Sequence, residues 1–249
     1  MDKSLSRGII ILGVLLALGM SVAAFIFGAQ AKHIGSAKQT ITVKGLAEKP
    51  IDATSASWQI GLSARADTFT DALNKLRQER PALERFLGQY GFSADSLSHT
   101  TESVVPNMVS ETNEKGDQVE VQRGFRGSMN VFVKTKDLTK IQEARAKIVE
   151  YQAQGHDVEG NDVEFLVGNL DDIKLQLIGE ATKNAKARAI EFAKNGDVAV
   201  GTMRSAAQGT FDILPAEGQV EDSSGGTYDK SSIHKLARVV VTIEYNIDR

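Results

Sequence analysis

Four histidines, one pair of adjacent aspartates and one acidic cluster are the side chains from which a catalytic or metal site would have to be built in this chain. His33, His99, His156 and His234 stand far apart. None has a second histidine at ligand spacing and no His-Glu-x-x-His occurs, so a zinc centre has no signature here. Glu111, Glu114, Asp117 and Glu120 form an acidic loop, which as spaced suits a solvated surface better than a divalent-cation cage. Asp171-Asp172 looks like a carboxylate pair, but at the head of a helical pattern its simpler work is capping and dipole compensation. Cysteine is absent, which removes thiol nucleophiles, disulfides and thiolate metal sites. There is no Gly-x-Ser-x-Gly elbow, Walker loop or Gly-x-Gly-x-x-Gly turn, and Gly225-Gly226-Thr227 reads as a flexible turn. Lys183, Lys186, Arg188 and Lys194 make the second half of one helix basic, as its dipole favours. No catalytic, cofactor-binding or metal-ligating residue is therefore assigned, and no cofactor is expected.

The elements that would hold such groups alternate in period. Thr40–Gly45 alternates and is β-branched, with Pro50 and Asp52 as punctuation. Trp58, Ile60, Leu62 and Ala64 share one face of a second strand. Phe69, Leu73, Leu76, Leu83, Phe86, Leu87 and Tyr90 then recur at helical spacing, with Asp67 as N-cap and Gly91 as stop. Pro81 sits inside this pattern and is expected to kink or divide the helix near Arg80. Leu97–Val105 reads as a strand, Asn107–Asp117 as a polar loop, and Val119–Thr135 as a long strand with a bulge near Gly124 or Gly127. Asp137 caps a second helix. A strand over Val158–Val167 breaks at Gly160-Asn161. Asp171 or Asp172 opens a third helix with the stripe Ile173, Leu177, Ala181, Ala185, Ala189 and Phe192, closed by Gly196. Val198–Phe211 is a further strand and Asp212–Lys235 a long connection. Ala237, Val239, Val241, Ile243, Tyr245 and Ile247 line one face of the last strand. The order implies an α+β fold, with mixed or antiparallel sheets and three main helices packed on them.

Ahead of this lies the uncharged run Gly8–Ala29, preceded by Lys3 and Arg7. At about 1.5 Å per residue it is roughly 33 Å long as a helix, against a hydrocarbon core of about 30 Å. Residues 1–7 are thus read as a cytoplasmic basic region, 8–29 as a single transmembrane signal-anchor, 30–39 as a linker and 40–249 as one domain. Ala29-Gln30-Ala31 fits a cleavage pattern, but the apolar run exceeds the usual 7–15 residues of a secretory signal by roughly half. Basic residues on both sides of the run leave its orientation open on charge alone. The net charge of −3, with no basic stripe, excludes nucleic acid as the expected partner.

The ordered series resembles the SIMPL-domain family. It begins with Ile41-Thr42-Val43-x-Gly45 and the Pro50 loop, and continues through Tyr90-Gly91-Phe92 and Ser98–Pro106. Gly124–Val133 with Asp137-Leu138, then Val163-Glu164-Phe165, Ala181–Gly196 and Val239–Ile247 complete it, over about Thr40–Ile247. Two departures are Pro81 inside a helix the family keeps continuous, and a lead-in at Ser231–Leu236 without glycine. The resemblance implies a bacterial periplasmic or envelope protein of the oxidative-stress-defence or immunogenic-antigen type, anchored in the inner membrane with its bulk in the periplasm. It further implies a non-enzymatic protein that forms a ring-like homo-oligomer, its partners being copies of itself and the bilayer through residues 8–29. Trp58 and Phe125 are the candidate interface residues. The alternative is a monomeric or dimeric adaptor or ligand-binding module acting through the 212–235 loop; an uncharacterised hydrolase or redox enzyme comes third.

Overall fold

The computed structural model describes residues 13, 16–26, 39–217 and 226–248. Within them are nine strands and three long helices of the domain, in the order β1 (Thr40–Asp52), β2 (Ser55–Ala66), α1 (Phe69–Gln89), β3 (Leu97–His99), β4 (Ser103–Thr112), β5 (Gln118–Thr135), α2 (Leu138–Ala153), β6 (Val158–Gly160), β7 (Glu164–Leu166), α3 (Leu170–Asn195), β8 (Ala199–Pro215) and β9 (His234–Asp248). One sheet has the order β3-β5-β2-β6, with β4 also on β5 and β7 also on β2; the other has the order β1-β9-β8. Pairing throughout the larger sheet is antiparallel. The chain is thus α+β with antiparallel sheets, as expected.

Contacts divide it into two compact units, one of residues 45–184 and 208–241, the other of the described residues up to 44 with 185–207 and 242–248. The larger unit contains the main core. β2 presents Trp58, Ile60, Leu62 and Ala64, and β5 presents Met129, Val131 and Val133; α1 and α2 cover them with Leu76, Leu83, Phe86, Leu87, Ile141, Ala144 and Ile148. Each large side chain so buried contributes about 1.5–3 kcal/mol. That term explains Pro81. The helix is continuous from Phe69 to Gln89 with Pro81 inside it and exposed. Proline costs a helix interior about 3 kcal/mol. Leu76 on one side and Leu83, Phe86 and Leu87 on the other are buried in the same core, so packing holds both halves in line and no division occurs.

Caps and boundaries follow local chemistry. Thr68, rather than Asp67, is the N-cap of α1: its Oγ1 accepts from Asp71 N at 3.1 Å. Gly91 follows at φ +83, as a stop should. Phe69 is exposed and Ala72 takes the core position, so the apolar stripe starts one turn later than expected. Asp137 caps α2 through Lys140 N at 3.2 Å. In α3, Leu177, Ala181, Ala185, Ala189 and Ala193 are buried while Phe192 is 65% exposed, so the alanine row ends on Ala193. Asp197, not Gly196, takes the left-handed conformation after α3, at φ +54. β1 runs through Pro50 to Asp52, since an edge strand tolerates a missing donor. In the larger unit α3 lies along β1, with Leu46 N donating to Asn184 Oδ1 at 3.2 Å and Lys49 Nζ to Gln176 Oε1 at 2.7 Å.

The N-terminal run is described only in part. Residues 16–26 are helical and exposed, and most of the rest of the 8–29 segment lies outside the described residues. No helix among the described residues is long and apolar enough to cross a membrane.

Candidate functional site

The polar loop expected over Asn107–Asp117 is mostly strand. β4 continues to Thr112 and pairs with β5 down to Thr112 opposite Gln118, and only Asn113–Asp117 turns. The turn is well made: Asn113 Oδ1 accepts from Lys115 N and Asp117 N at 2.9 Å each, and Gly116 sits at φ +87. The polar composition hid this strand because an exposed hairpin needs little apolar content to pair its backbone.

β2 stops pairing β5 at Ala66 opposite Phe125, so residues 108–122 form a two-stranded arm with no third strand among the described residues. Its base is a bulge. Pro106 faces Phe125 and Met108 faces Gln122, so Arg123 and Gly124 together oppose Asn107. Gly124 lies at φ +72, and a Cβ there would stand 2.3 Å from Ala66 O. Only glycine fits, which is where the long strand was expected to bend. Cross-strand pairing puts Val109, Val119 and Val121 on one side of the arm, and Val119 is 38% exposed. Met108 on the other side, and Val105 near the base, are exposed too. Glu111 and Arg123 clasp across the two strands at 2.7 and 2.9 Å, and hydrogen bonding to Arg123 draws the Glu111 carboxyl below its ordinary range. The acidic cluster is thus divided among a salt bridge at Glu111, the turn at Glu114 and Asp117, and the exposed face of β5 at Glu120, and no group of metal-ligating side chains occurs among the described residues.

The two candidate interface residues part company. Trp58 is 0% exposed within the chain itself, with Nε1 donating to Asn161 O at 2.8 Å. Its side chain is spent on the intramolecular core, the physical reason it has no face to offer a second copy. Phe125 is half-buried at the foot of the arm, edge-on to the exposed Phe69 ring at 6.1 Å and 78°.

The three described histidines each meet a carboxylate: His99 Nε2 and Glu84 at 3.1 Å, His234 Nδ1 and Asp52 at 2.8 Å, His156 Nδ1 and Glu79 at 2.7 Å. His33 lies outside the described residues. His156 borders a cleft of about 410 Å³ between α1 and α2. There Tyr151 stacks on His156 at 4.0 Å and 7°, and on Phe86 at 4.6 Å. Burial, then the charge of Glu79, pushes the Tyr151 hydroxyl up to about 12. Residues 79, 86, 151 and 156 are brought together only by the fold. The sole signal in the sequence was a tyrosine ending the apolar stripe of α2.

Most of the long connection is fastened. β8 extends to Pro215, Ile213 and Leu214 are buried, and Ile213 bridges Tyr228. Lys235 is 1% exposed and its Nζ donates to Asp229 O at 2.7 Å and Oδ2 at 3.0 Å. Asp229 also accepts from the backbone N–H and hydroxyl groups of Ser231 and Ser232. Burial alone would raise its pKa, but these bonds overcome it and hold the carboxyl well below the usual range.

An antiparallel α+β fold with helices packed on the larger sheet, a two-stranded arm and no assembled metal site among the described residues describes a class of protein rather than an activity. The chain belongs to the SIMPL family, described as "Protein of unknown function (DUF541)", which matches residues 41–235. No curated protein matches it. Among solved structures, the de novo designed protein Foldit4 is similar at TM-score 0.25 and 10% identity, covering 44% of this chain and 94% of that one. The ligand-free regulatory subunit of aspartate kinase from Thermus thermophilus is similar at TM-score 0.18 and 14% identity, covering 81% and 88%.

Proposed function

We propose that this SIMPL protein is a non-enzymatic component of the bacterial inner membrane, tethered through residues 8–29 with residues 40–249 in the periplasm. It works as a ring-like homo-oligomer in envelope or oxidative-stress defence. The two-stranded arm carries this reading. An isolated hairpin is marginally stable in water, and one with exposed valines and two open edges is what natural proteins cover. Val109 and Val119 are exposed on one side of it, beside the half-buried Val121 and the Glu111–Arg123 pair. A neighbouring copy is the partner this reading commits to: a patch meeting a different patch on the next copy generates a ring when the rotation closes. Closed rotational symmetry also suits anchors that enter the membrane in one direction. The stress role rests on the family resemblance alone.

The test is the mass of the detergent-solubilised full-length protein by native mass spectrometry, for the wild type and for V109E/V119E. A large discrete oligomer in the wild type and folded monomers in the variant are expected. A monomeric wild type sinks the ring, and an unchanged mass in the variant removes the arm from the interface. Alkaline carbonate extraction of membranes checks the tether, which predicts that the chain stays in the pellet. The adaptor alternative has less to stand on, because Ile213, Leu214 and Lys235 tie down both ends of the loop it would use.

A further inference from the structure

The cleft between α1 and α2 carries polar groups for which the folded chain has no use. Tyr151 is 5% exposed, and its hydroxyl is buried with no hydrogen-bond partner among the described residues. Native proteins pair nearly all such groups, so an orphan asks for an explanation. A second unused atom lies beside it. His156 is held through Nδ1 by Glu79, which does not line the cleft. Its Nε2 has no partner among the described residues. The third is Arg85, whose Nε donates to Pro81 O at 3.2 Å and whose two terminal nitrogens make no hydrogen bond among the described residues. Lys147, the other cation in the lining, is balanced by Glu150 at 2.6 Å.

Aromatic side chains line the cleft. Phe86 lies 5.2 Å from Tyr90 at 61°, and Phe86, Tyr151 and His156 form a continuous stack. A cleft of about 410 Å³ is the size of a small-molecule site. One unbalanced guanidinium with a planar fork suits a carboxylate, which it meets with two parallel bonds. An aromatic lining suits an aromatic body, which can pack edge-to-face against it. Inorganic phosphate meets only the first condition: it pairs with a guanidinium as a carboxylate does, but it brings no apolar surface for the rings, and the second cation is already neutralised.

We propose that this cleft binds a small aromatic carboxylate, its carboxylate on Arg85, its ring against Tyr90 and the Phe86–Tyr151–His156 stack, and an oxygen within reach of the Tyr151 hydroxyl. That hydroxyl is buried, so reaching it takes a side-chain movement at the rim. This site is independent of self-association, and it is a binding site rather than a catalytic one.

The probe is 4-hydroxybenzoate, titrated by calorimetry into full-length protein in detergent, with empty micelles as the blank. Saturable binding is expected, with benzyl alcohol roughly tenfold weaker or worse, the size of a lost charge-assisted hydrogen bond, and inorganic phosphate weaker as well, for want of apolar surface. R85Q is expected to weaken 4-hydroxybenzoate by about the same factor. Y151F should weaken it several-fold while the ligand-free protein melts at the same or a higher temperature, because the substitution removes an unpaired group. Absence of saturable binding to the wild type overturns the site. Equal binding by R85Q, or by uncharged benzyl alcohol, overturns the anion. Unaltered binding by Y151F, or a fall in its melting temperature without ligand, overturns the part given to Tyr151.

Discussion

Lys235 is the residue whose burial is hardest to account for by composition and easiest by geometry. Its ammonium is enclosed, yet Asp229 meets it with a carbonyl and a carboxylate oxygen, and four donors from Ser231 and Ser232 fill the rest of that carboxylate. Breaking a buried pair from one side costs about 3–5 kcal/mol, so D229N should destabilise by that order in a urea titration at neutral pH. K235M leaves Asp229 with its serine donors and should cost less. The pH dependence has a definite sign. A carboxyl whose folded pKa is depressed contributes stability above its unfolded value, about 3.9, and loses it as pH falls toward the folded value. The gap between wild type and D229N should be constant above about pH 5 and shrink below about pH 4. A gap that stays constant down to pH 2.5 would mean Asp229 is not held ionised. None of this was legible in the sequence. Lys235 and Asp229 sit in a stretch rich in glycine, serine and acids, and reading it as one open loop missed that a buried pair closes its end.

Elements whose side chains alternate over a buried face were the legible part. β2 and β9 have the faces expected, because period 2 survives in sequence wherever one side of a strand is buried. β4 was half missed, because a strand exposed on both sides keeps no such period. Gly124 shows where a local rule still reached it: a glycine in a strand too long to run straight. Its φ of +72 and the 2.3 Å approach of a Cβ to Ala66 O predict that G124A costs at least about 1–3 kcal/mol in chemical denaturation. Gly116 in the turn is also at positive φ, with nothing near its Cβ position. G116N, in a residue type that accepts the left-handed region, should cost only a few tenths of a kcal/mol. Equal losses at the two sites would mean the bulge is not a fixed feature. Pro81 gives the opposite prediction. It faces solvent in mid-helix, so P81A restores a donor to the Arg77 carbonyl without disturbing the core. It should raise stability by roughly 2 kcal/mol, the helix penalty less the chain entropy that proline removes from the unfolded state. A neutral or destabilising P81A would show that the helix has adapted to the ring.

At the scale of the whole molecule, the proposed tether and the proposed self-contact of the arm would act on the same equilibrium. An anchor would hold every copy in one plane and one orientation, raising the effective concentration of the arm for its partner surface. A contact of modest affinity then suffices in the membrane, and the same contact without the anchor should fail on dilution. The fragment 39–249 and the full-length protein therefore separate two contributions. The fragment should move from oligomer to monomer as it is diluted through the micromolar range in sedimentation. The full-length protein, crosslinked in membrane vesicles, should give one oligomer size whatever its surface density. V109E/V119E should abolish the oligomer in the fragment and reduce it in the vesicles, since the anchor concentrates the copies but supplies no specific face. F125D belongs in the same series: half-buried at the foot of the arm, it should weaken assembly less than the valine pair and lower stability as well. An oligomer in vesicles that ignores all three substitutions would place the contact in residues 8–29. The small residues Gly13, Gly19 and Ala23 would then be the positions to enlarge next.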